Sequence, residues 1–156
     1  MGPLTREGKQ TMPVTDQQVA ALRAQLAGNL AEHKRLLASL DQGPESRGYS
    51  ALLTAAFYSA VDSRFTRDST LDEVTEFVAD IRARSERIRD VLDPAIAERV
   101  LISAFTNADL DDLDAQELTK TKMFLLAGII SGQHLDDAGL DDFMAKARAF
   151  ADELLS

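Results

Sequence analysis

A dense run of oxygen-bearing side chains is the feature of this sequence that most suggests chemistry. It comprises Asn107, Asp109, Asp111, Asp112 and Asp114. Ca²⁺ prefers oxygen ligands, but a regular calcium loop that begins at Asn107 needs glycine at its sixth position and glutamate at its twelfth. Asp112 and Leu118 occupy those positions. We therefore interpret the run as a solvated approach to a helix and expect no bound metal.

Nucleophiles and metal-binding nitrogens are scarce. Cysteine is absent, and the two histidines, His33 and His134, lie on different predicted elements and in no metal-binding pattern. No serine occupies a nucleophile-elbow motif, and no glycine-rich loop precedes a Lys-Ser or Lys-Thr pair. The sequence predicts no cofactor and disfavours catalysis. Because distant residues can assemble an active site, an enzyme of unrecognised type remains an alternative.

The string Asp68-Ser69-Thr70-Leu71 resembles the Asp-Ser-Leu signature of acyl carrier proteins, which are small, acidic and helical. In that family the serine carries a phosphopantetheine arm at a helix N-terminus. This chain departs from the signature because Thr70 separates Ser69 from Leu71. Helix capping explains a Ser-Thr pair ahead of a helix, so we expect no phosphopantetheine on Ser69.

The composition favours helices. Hydrophobic residues make up 45% of the 156 residues, whereas aromatic residues make up 6% and tryptophan is absent. Alanine and leucine, which favour helices, dominate the apolar content, and residues that favour strands are sparse. Apolar side chains recur at spacings of three and four, the period of a helix face. We predict an all-α fold, a bundle of five or six helices.

The chain is predicted to begin with one long amphipathic helix. The predicted divisions are a disordered tail over 1–13, an N-terminal amphipathic helix over 14–41, a Gly/Pro linker over 42–48 and a helical bundle domain over 49–156. Thr15 and Gln18 have the spacing of a capping box at the start of the long helix.

One face of this helix forms an apolar seam. Its apolar members are Val19, Leu22, Leu26, Leu30, Leu37 and Leu40, and His33 lies on the same face and interrupts the seam. Since burial of one leucine contributes roughly 1.5–3 kcal/mol, the seam must pack against something. We predict a partner or self-association face, with a homodimer through residues 16–40 as the favoured arrangement and packing on the bundle as the alternative.

Five further helices are predicted in the bundle domain. They cover roughly 50–65, 71–92, 94–105, 114–131 and 140–156, with Asp93-Pro94 as a helix start and Gly132 as a helix end. Asp80 and Arg84 are spaced for an ion pair. The aromatic residues Phe57, Tyr58, Phe105 and Phe124 could line an apolar pocket. Such a pocket would favour an alternative function, the binding of a small apolar ligand.

The charge is unevenly spread and restricts the choice of partner. The net charge is −9; residues 1–106 carry 13 basic and 15 acidic side chains, whereas residues 107–156 carry 4 basic and 11 acidic ones. An acidic surface repels phosphate, so no nucleic-acid partner is expected. No membrane partner is expected, because the longest apolar run, 123–130, is far shorter than the about 20 residues that span a bilayer. By elimination we predict a non-enzymatic protein–protein interaction or regulatory module in the cytoplasm.

Overall fold

The computed structural model describes residues 14–40, 47–66, 68–106 and 109–155. Within these ranges the chain forms α-helices and no β-strand, which confirms the predicted all-α class. The helices are α1 (Asp16–Leu26), α2 (Leu30–Ala38), α3 (Arg47–Arg64), α4 (Leu71–Arg82), α5 (Glu86–Val91), α6 (Pro94–Thr106), α7 (Ala115–Gln133) and α8 (Asp137–Leu155). None of these helices is long and apolar enough to cross a membrane.

The prediction of a single long N-terminal helix is wrong, because the chain turns at Gly28 and forms α1 and α2 instead. Gly28 has a φ of +83°, in the left-handed region that favours glycine. Its N–H donates to the carbonyl of Gln25 over 3.1 Å, and the N–H of Asn29 donates to that of Ala24 over 2.9 Å. These two bonds define a Schellman motif. The Asn29 side chain then caps α2 by accepting from the N–H of Glu32.

The predicted third helix is also divided, which raises the number of helices in the described residues to eight. α4 ends at Arg82, and Ser85 begins α5 by accepting from the N–H of Ile88 over 3.0 Å. The Arg82 guanidinium donates to the carbonyl oxygens of Leu92 and Arg89, each over 3.0 Å. Because the last carbonyls of a helix lack partners within it, these bonds from Arg82 stabilise the C-terminal end of α5.

Two predicted helix starts are confirmed by hydrogen bonds. Thr15 and Gln18 form a reciprocal capping box, in which each side chain accepts from the other residue's N–H over 3.0–3.1 Å. Asp93 accepts through Oδ1 from two N–H groups in the first turn of α6, over 2.9 and 3.1 Å. Pro94 follows it at the first helical position, where its missing N–H costs nothing.

The connection between α7 and α8 differs from the prediction at both ends. Gly132 does not close α7, which continues to Gln133. The residue in the left-handed region is His134, with φ 52° and ψ 46°. α8 begins at Asp137, earlier than predicted, because the Asp136 side chain accepts from the N–H of Gly139 over 2.7 Å and supports an additional turn.

Contacts divide the described residues into two compact units, with the boundary inside α3. The first unit contains the described residues up to Ala56 and those from Leu135 onward, and the second contains Phe57–His134. Of the predicted linker, residues 47–48 form the start of α3, and residues 42–46 lie outside the described residues, as does the predicted tail over 1–13.

In the first unit, α1 packs against α2 and α8. Arg23 pairs with Asp141 over 2.6 Å, and Arg148 pairs with Asp16 over 2.6 Å. These pairs join opposite ends of the two helices, so α1 and α8 run antiparallel. The N–H of Val14 donates to Asp152 over 2.9 Å and places the start of α1 beside the end of α8.

In the second unit, α4 is the central element, because it packs against α5, α6 and α7, and α6 packs against α7. The larger buried side chains are Phe57, Val61, Phe65, Phe77, Val78, Ile81, Leu92, Leu101, Leu125, Leu126, Ile129 and Ile130. The apolar stripe of α4 faces this core, and its opposite, charged face remains exposed.

Candidate functional site

The predicted self-association face lies in the first unit, and most of it is already covered there. Its buried members are Leu22, His33 and Leu40, its half-buried members are Val19, Leu26 and Leu37, and its exposed member is Leu30. His33 Nδ1 lies 2.7 Å from the carbonyl oxygen of Ala21 and so links α2 to α1. In the single chain the seam therefore holds the α1–α2 pair together.

The four residues of the predicted apolar pocket lie in the second unit. Phe57 is buried, and Tyr58, Phe105 and Phe124 are half-buried. The Phe57 ring contacts that of its sequence neighbour Tyr58, with centroids 5.9 Å apart, while the Phe105 ring stacks on Phe65 instead. Among the described ring contacts, none joins Phe105 or Phe124 to the Phe57–Tyr58 pair.

A cluster of three aromatic rings is centred on Phe65, directly after the end of α3. The centroid of Phe65 lies 5.3 Å from that of Phe77 in an edge-to-face arrangement and 6.1 Å from that of Phe105 in a stacked one. Both geometries are favourable for aromatic pairs. The sequence did not reveal this cluster, because Phe65 and Phe77 belong to two separate predicted helices, 50–65 and 71–92.

The Arg64 guanidinium covers this cluster from the solvent side. Its Cζ atom lies 4.8 Å from the centroid of Phe65 and 5.2 Å from that of Phe77. Both distances are within the about 6 Å over which a cation is attracted to a ring face. Arg64 is exposed and forms no ion pair within the described residues. The two rings are therefore its principal contacts.

Beside Arg64 a groove of about 640 Å³ runs along the exposed face of α4. We call it the α4 groove; it is lined by Arg64, Glu73, Glu76, Phe77, Ala79, Asp80 and Ala83. The carboxylates of Glu73, Glu76 and Asp80 are exposed, and none has an ion pair or side-chain hydrogen bond within the described residues. The groove thus combines small and aromatic side chains with three carboxylates and one guanidinium that form no ion pairs within the described residues.

The predicted ion pair between Asp80 and Arg84 is not formed. The Arg84 guanidinium donates instead to the carbonyl of Gly128 over 3.3 Å. Glu76 and Asp80 are four residues apart on one face, where like charges destabilise a helix by about 0.2–0.5 kcal/mol. Glu73 lies in the first turn of α4, where the helix dipole favours a carboxylate. Glu76 and Asp80 lie beyond that turn and have no such compensation.

A second groove of about 610 Å³ lies between α5, the start of α6 and the start of α7. All but one of its carboxylates, Asp90, already have structural roles. Asp114 caps α7 by accepting from two N–H groups, Asp112 accepts from both terminal nitrogens of Arg99 over 2.8 and 2.9 Å, and Glu117 pairs with Lys120 over 3.0 Å. The Arg99 guanidinium lowers the pKa of the Asp112 carboxyl through these hydrogen bonds. This groove therefore offers less free charge than the α4 groove.

One lysine of the second unit is partly buried. Burial lowers the pKa of the Lys122 ammonium, whose Nζ atom lies 5.9 Å from the centroid of the Tyr58 ring. A desolvated amine is a feature of nucleophilic lysines, but neither described groove includes Lys122 or Tyr58. The contact therefore joins one side chain of α7 to one of α3.

The other sequence candidates for chemistry lie apart from the α4 groove. Within the described residues, no group of three or more acidic, histidine or cysteine side chains is arranged to hold a metal ion. Asn107 lies outside the described residues. Ser69 Oγ accepts from the N–H of Thr66 over 2.9 Å, and Thr70 caps α4 by accepting from the N–H of Glu73. Both hydroxyls are thus used in the turn before α4.

Comparisons of the chain with protein-family models, with curated proteins and with solved structures find no significant match.

Proposed function

We propose that this chain is a non-enzymatic protein–protein interaction module and that the α4 groove is its contact surface. The observation that supports this proposal most directly is that Glu76 and Asp80 form no ion pair within the described residues, although Arg64 lines the same groove. Interfaces commonly combine an apolar centre with a polar rim. Here Ala79 and Ala83 supply the exposed apolar surface, and the buried Phe77 ring lies beneath Arg64.

Three exposed carboxylates that form no ion pair within the described residues line this one groove. Several exposed acids elsewhere pair with a basic residue, as Asp142 does with Lys146 over 3.1 Å, or cap a helix, as Asp93 does, whereas others such as Asp62 and Asp72 do neither in the described part of the chain. Complementary charge accelerates association and selects the partner. The proposed setting is the cytoplasm, which is consistent with a chain that contains no cysteine.

Pairing of two copies through residues 16–40 is the other form that the interaction could take. Leu22 and Leu40 would have to leave their present packing, since they are 0% and 9% exposed. We therefore favour the α4 groove over the N-terminal helices as the contact surface. Light scattering over a range of protein concentrations separates the two, because a dimer through residues 16–40 would dissociate on dilution.

Affinity purification with charge-reversed baits tests the proposal. The variant Glu76→Lys/Asp80→Lys reverses the groove, and Asp72→Lys/Asp62→Lys makes the same change in net charge at exposed positions outside it. We expect a partner that the wild type and the control retain and that the groove variant loses. Equal recovery by all three baits would contradict the assignment to the α4 groove. Far-ultraviolet circular dichroism establishes that each bait is folded.

A further inference from the structure

The α4 groove already holds a guanidinium, and that group belongs to the chain itself. Arg64 is exposed, yet its Cζ atom lies within 5.2 Å of two ring centroids. Because Arg64 forms no ion pair within the described residues, its side chain could extend into solvent, where water would hydrate the guanidinium fully. Under Arg64, Phe65 is 1% exposed and Phe77 is 7% exposed. The position of Arg64 over these rings indicates that their faces suit a guanidinium, which is planar and weakly hydrated.

The neighbouring carboxylates are not used by Arg64. Glu76 and Asp80 line the same groove, but no nitrogen of Arg64 lies within 4.0 Å of their oxygens. A guanidinium needs both kinds of contact for strong binding, a flat face to stack on and carboxylates that accept its N–H groups. The structure thus contains both kinds of contact group, the aromatic rings and the carboxylates, but Arg64 contacts only the rings.

The chemistry of the groove excludes other simple ligands. Three carboxylates repel phosphate and other anions. A metal ion needs several oxygens directed at one point, and the described residues contain no such group of three. Lysine brings a positive charge but stacks less well on rings and cannot form two parallel hydrogen bonds to a carboxylate. A guanidinium satisfies both the rings and the carboxylates.

We infer that the α4 groove binds an arginine-bearing segment of a partner protein, whose guanidinium replaces that of Arg64 on Phe65 and Phe77 while pairing with Glu76 and Asp80. The inference rests on the proposed function and specifies the chemistry of the partner. The groove volume of about 640 Å³ exceeds one side chain, so residues that flank the arginine also contact the surface, with Ala79 and Ala83 allowing close approach. Arg64 acts as an intramolecular competitor.

Fluorescence anisotropy with three labelled peptides tests this inference on the full chain. The probes are a short alanine-based peptide with two arginines one helical turn apart, the same peptide with lysines, and the same peptide with citrullines. Citrulline keeps the shape of arginine but has no charge. We expect the arginine peptide to bind most tightly, the lysine peptide less tightly and the citrulline peptide not at all.

Variants assign the binding to the groove. Loss of one charge-assisted pair should weaken binding of the arginine peptide about tenfold in Glu76→Gln and in Asp80→Asn. Asp72→Asn, on the same helix but outside the groove, should bind like the wild type. Arg64→Ala removes the competitor and should tighten binding. Chemical-shift changes in labelled wild-type protein should centre on Phe77 and Ala79.

Three results would overturn the inference: equal binding of the arginine and citrulline peptides, equal binding by wild type and Asp80→Asn, or weaker binding by folded Arg64→Ala. If the peptides fail while affinity purification still recovers a partner that depends on Glu76 and Asp80, the arginine inference is wrong and the interaction function is retained. If both fail, the α4 groove is not a contact surface.

Discussion

Gly128 of α7 faces Ile81 of α4 at a separation that leaves no room for a side chain. A Cβ atom on Gly128 would lie 2.5 Å from Cδ1 and 2.9 Å from Cγ1 of Ile81, which is 1% exposed and fully packed. The glycine therefore sets how closely the central helix of the second unit approaches α7. The hydrogen bond from Arg84 to the Gly128 carbonyl lies at the same crossing.

Substitution of this glycine should destabilise the protein. Overpacking of a core costs about 1–3 kcal/mol, and the gain of up to about 1 kcal/mol from replacing glycine with alanine in a helix only partly offsets it. We expect Gly128→Ala to lower the free energy of unfolding, as measured by urea denaturation. Gly132→Ala, on the same helix and with no atom within 4 Å of its Cβ position, should raise it.

The matched pair separates packing from helix propensity. A rise in the free energy of unfolding for both variants would mean that α7 and α4 do not approach closely at Gly128. A fall for both would mean that the C-terminal turn of α7 cannot accept alanine at position 132. Only a fall for Gly128→Ala together with a rise for Gly132→Ala agrees with a close approach of α4 and α7 at Gly128.

The broken N-terminal helix shows what the hydrophobic pattern of a sequence can conceal. Spacings of three and four from Val19 to Leu40 predicted one continuous seam, because the turn at Gly28 preserves the apolar period on both sides. Glycine followed by asparagine was the available signal, since the first suits a left-handed helix end and the second caps a new helix. A pattern of apolar residues locates a buried face, but only the residues that end one helix and cap the next locate a break between two helices.

The sign of a stability change at position 28 tests this break directly. In a left-handed conformation alanine costs about 1–2 kcal/mol relative to glycine, and no atom lies within 4 Å of the Cβ position to add a packing effect. Gly28→Ala should therefore lower the free energy of unfolding. In a continuous helix over 14–41, the same change would raise it by about 1 kcal/mol. Urea denaturation at two protein concentrations would also detect a dimer.

The sequence did not reveal that the residues of the α4 groove lie together. Helical spacing alone places Glu76 and Asp80 on the polar face of α4. Arg64 and Phe65 belong to the end of a different helix, and their contact with Phe77 depends on how α3 and α4 pack. Sequence spacing within one element cannot provide that contact. The predicted Asp80–Arg84 pair failed for the same reason, since the Gly128 carbonyl comes from α7.

Thr121 of α7 has a buried hydroxyl with no hydrogen-bond partner in the described residues and is 0% exposed. An unsatisfied buried polar group costs about 1–3 kcal/mol. Thr121→Val keeps the shape and removes the hydroxyl, so we expect thermal denaturation to show a more stable protein, by about 1 kcal/mol. Thr121→Ser keeps the hydroxyl, loses a methyl group and should be less stable. Stabilisation by serine rather than valine would show that the hydroxyl has a partner.

The raised pKa of Tyr49 should make the free energy of unfolding depend on alkaline pH. Burial raises the pKa of its phenol from 10.0 to about 12, because the ionised form is disfavoured away from water. The unfolded chain releases this proton near pH 10, but the folded chain retains it. The stabilising contribution is therefore complete below pH 10 and is lost as the pH rises through 12. A shift of this size corresponds to about 3 kcal/mol.

The two tyrosines of the chain and its lack of tryptophan make this shift measurable. In Tyr58→Phe, ultraviolet absorbance of tyrosinate should report Tyr49 alone, with a midpoint well above that of free tyrosine. In Tyr49→Phe, the free energy of unfolding should fall less steeply between pH 10 and 12 than in the wild type. Lys122 titrates in both proteins, so its lowered pKa cancels from the comparison of the two slopes. A Tyr49 midpoint at pH 10, or parallel slopes, would show that the phenol reaches water.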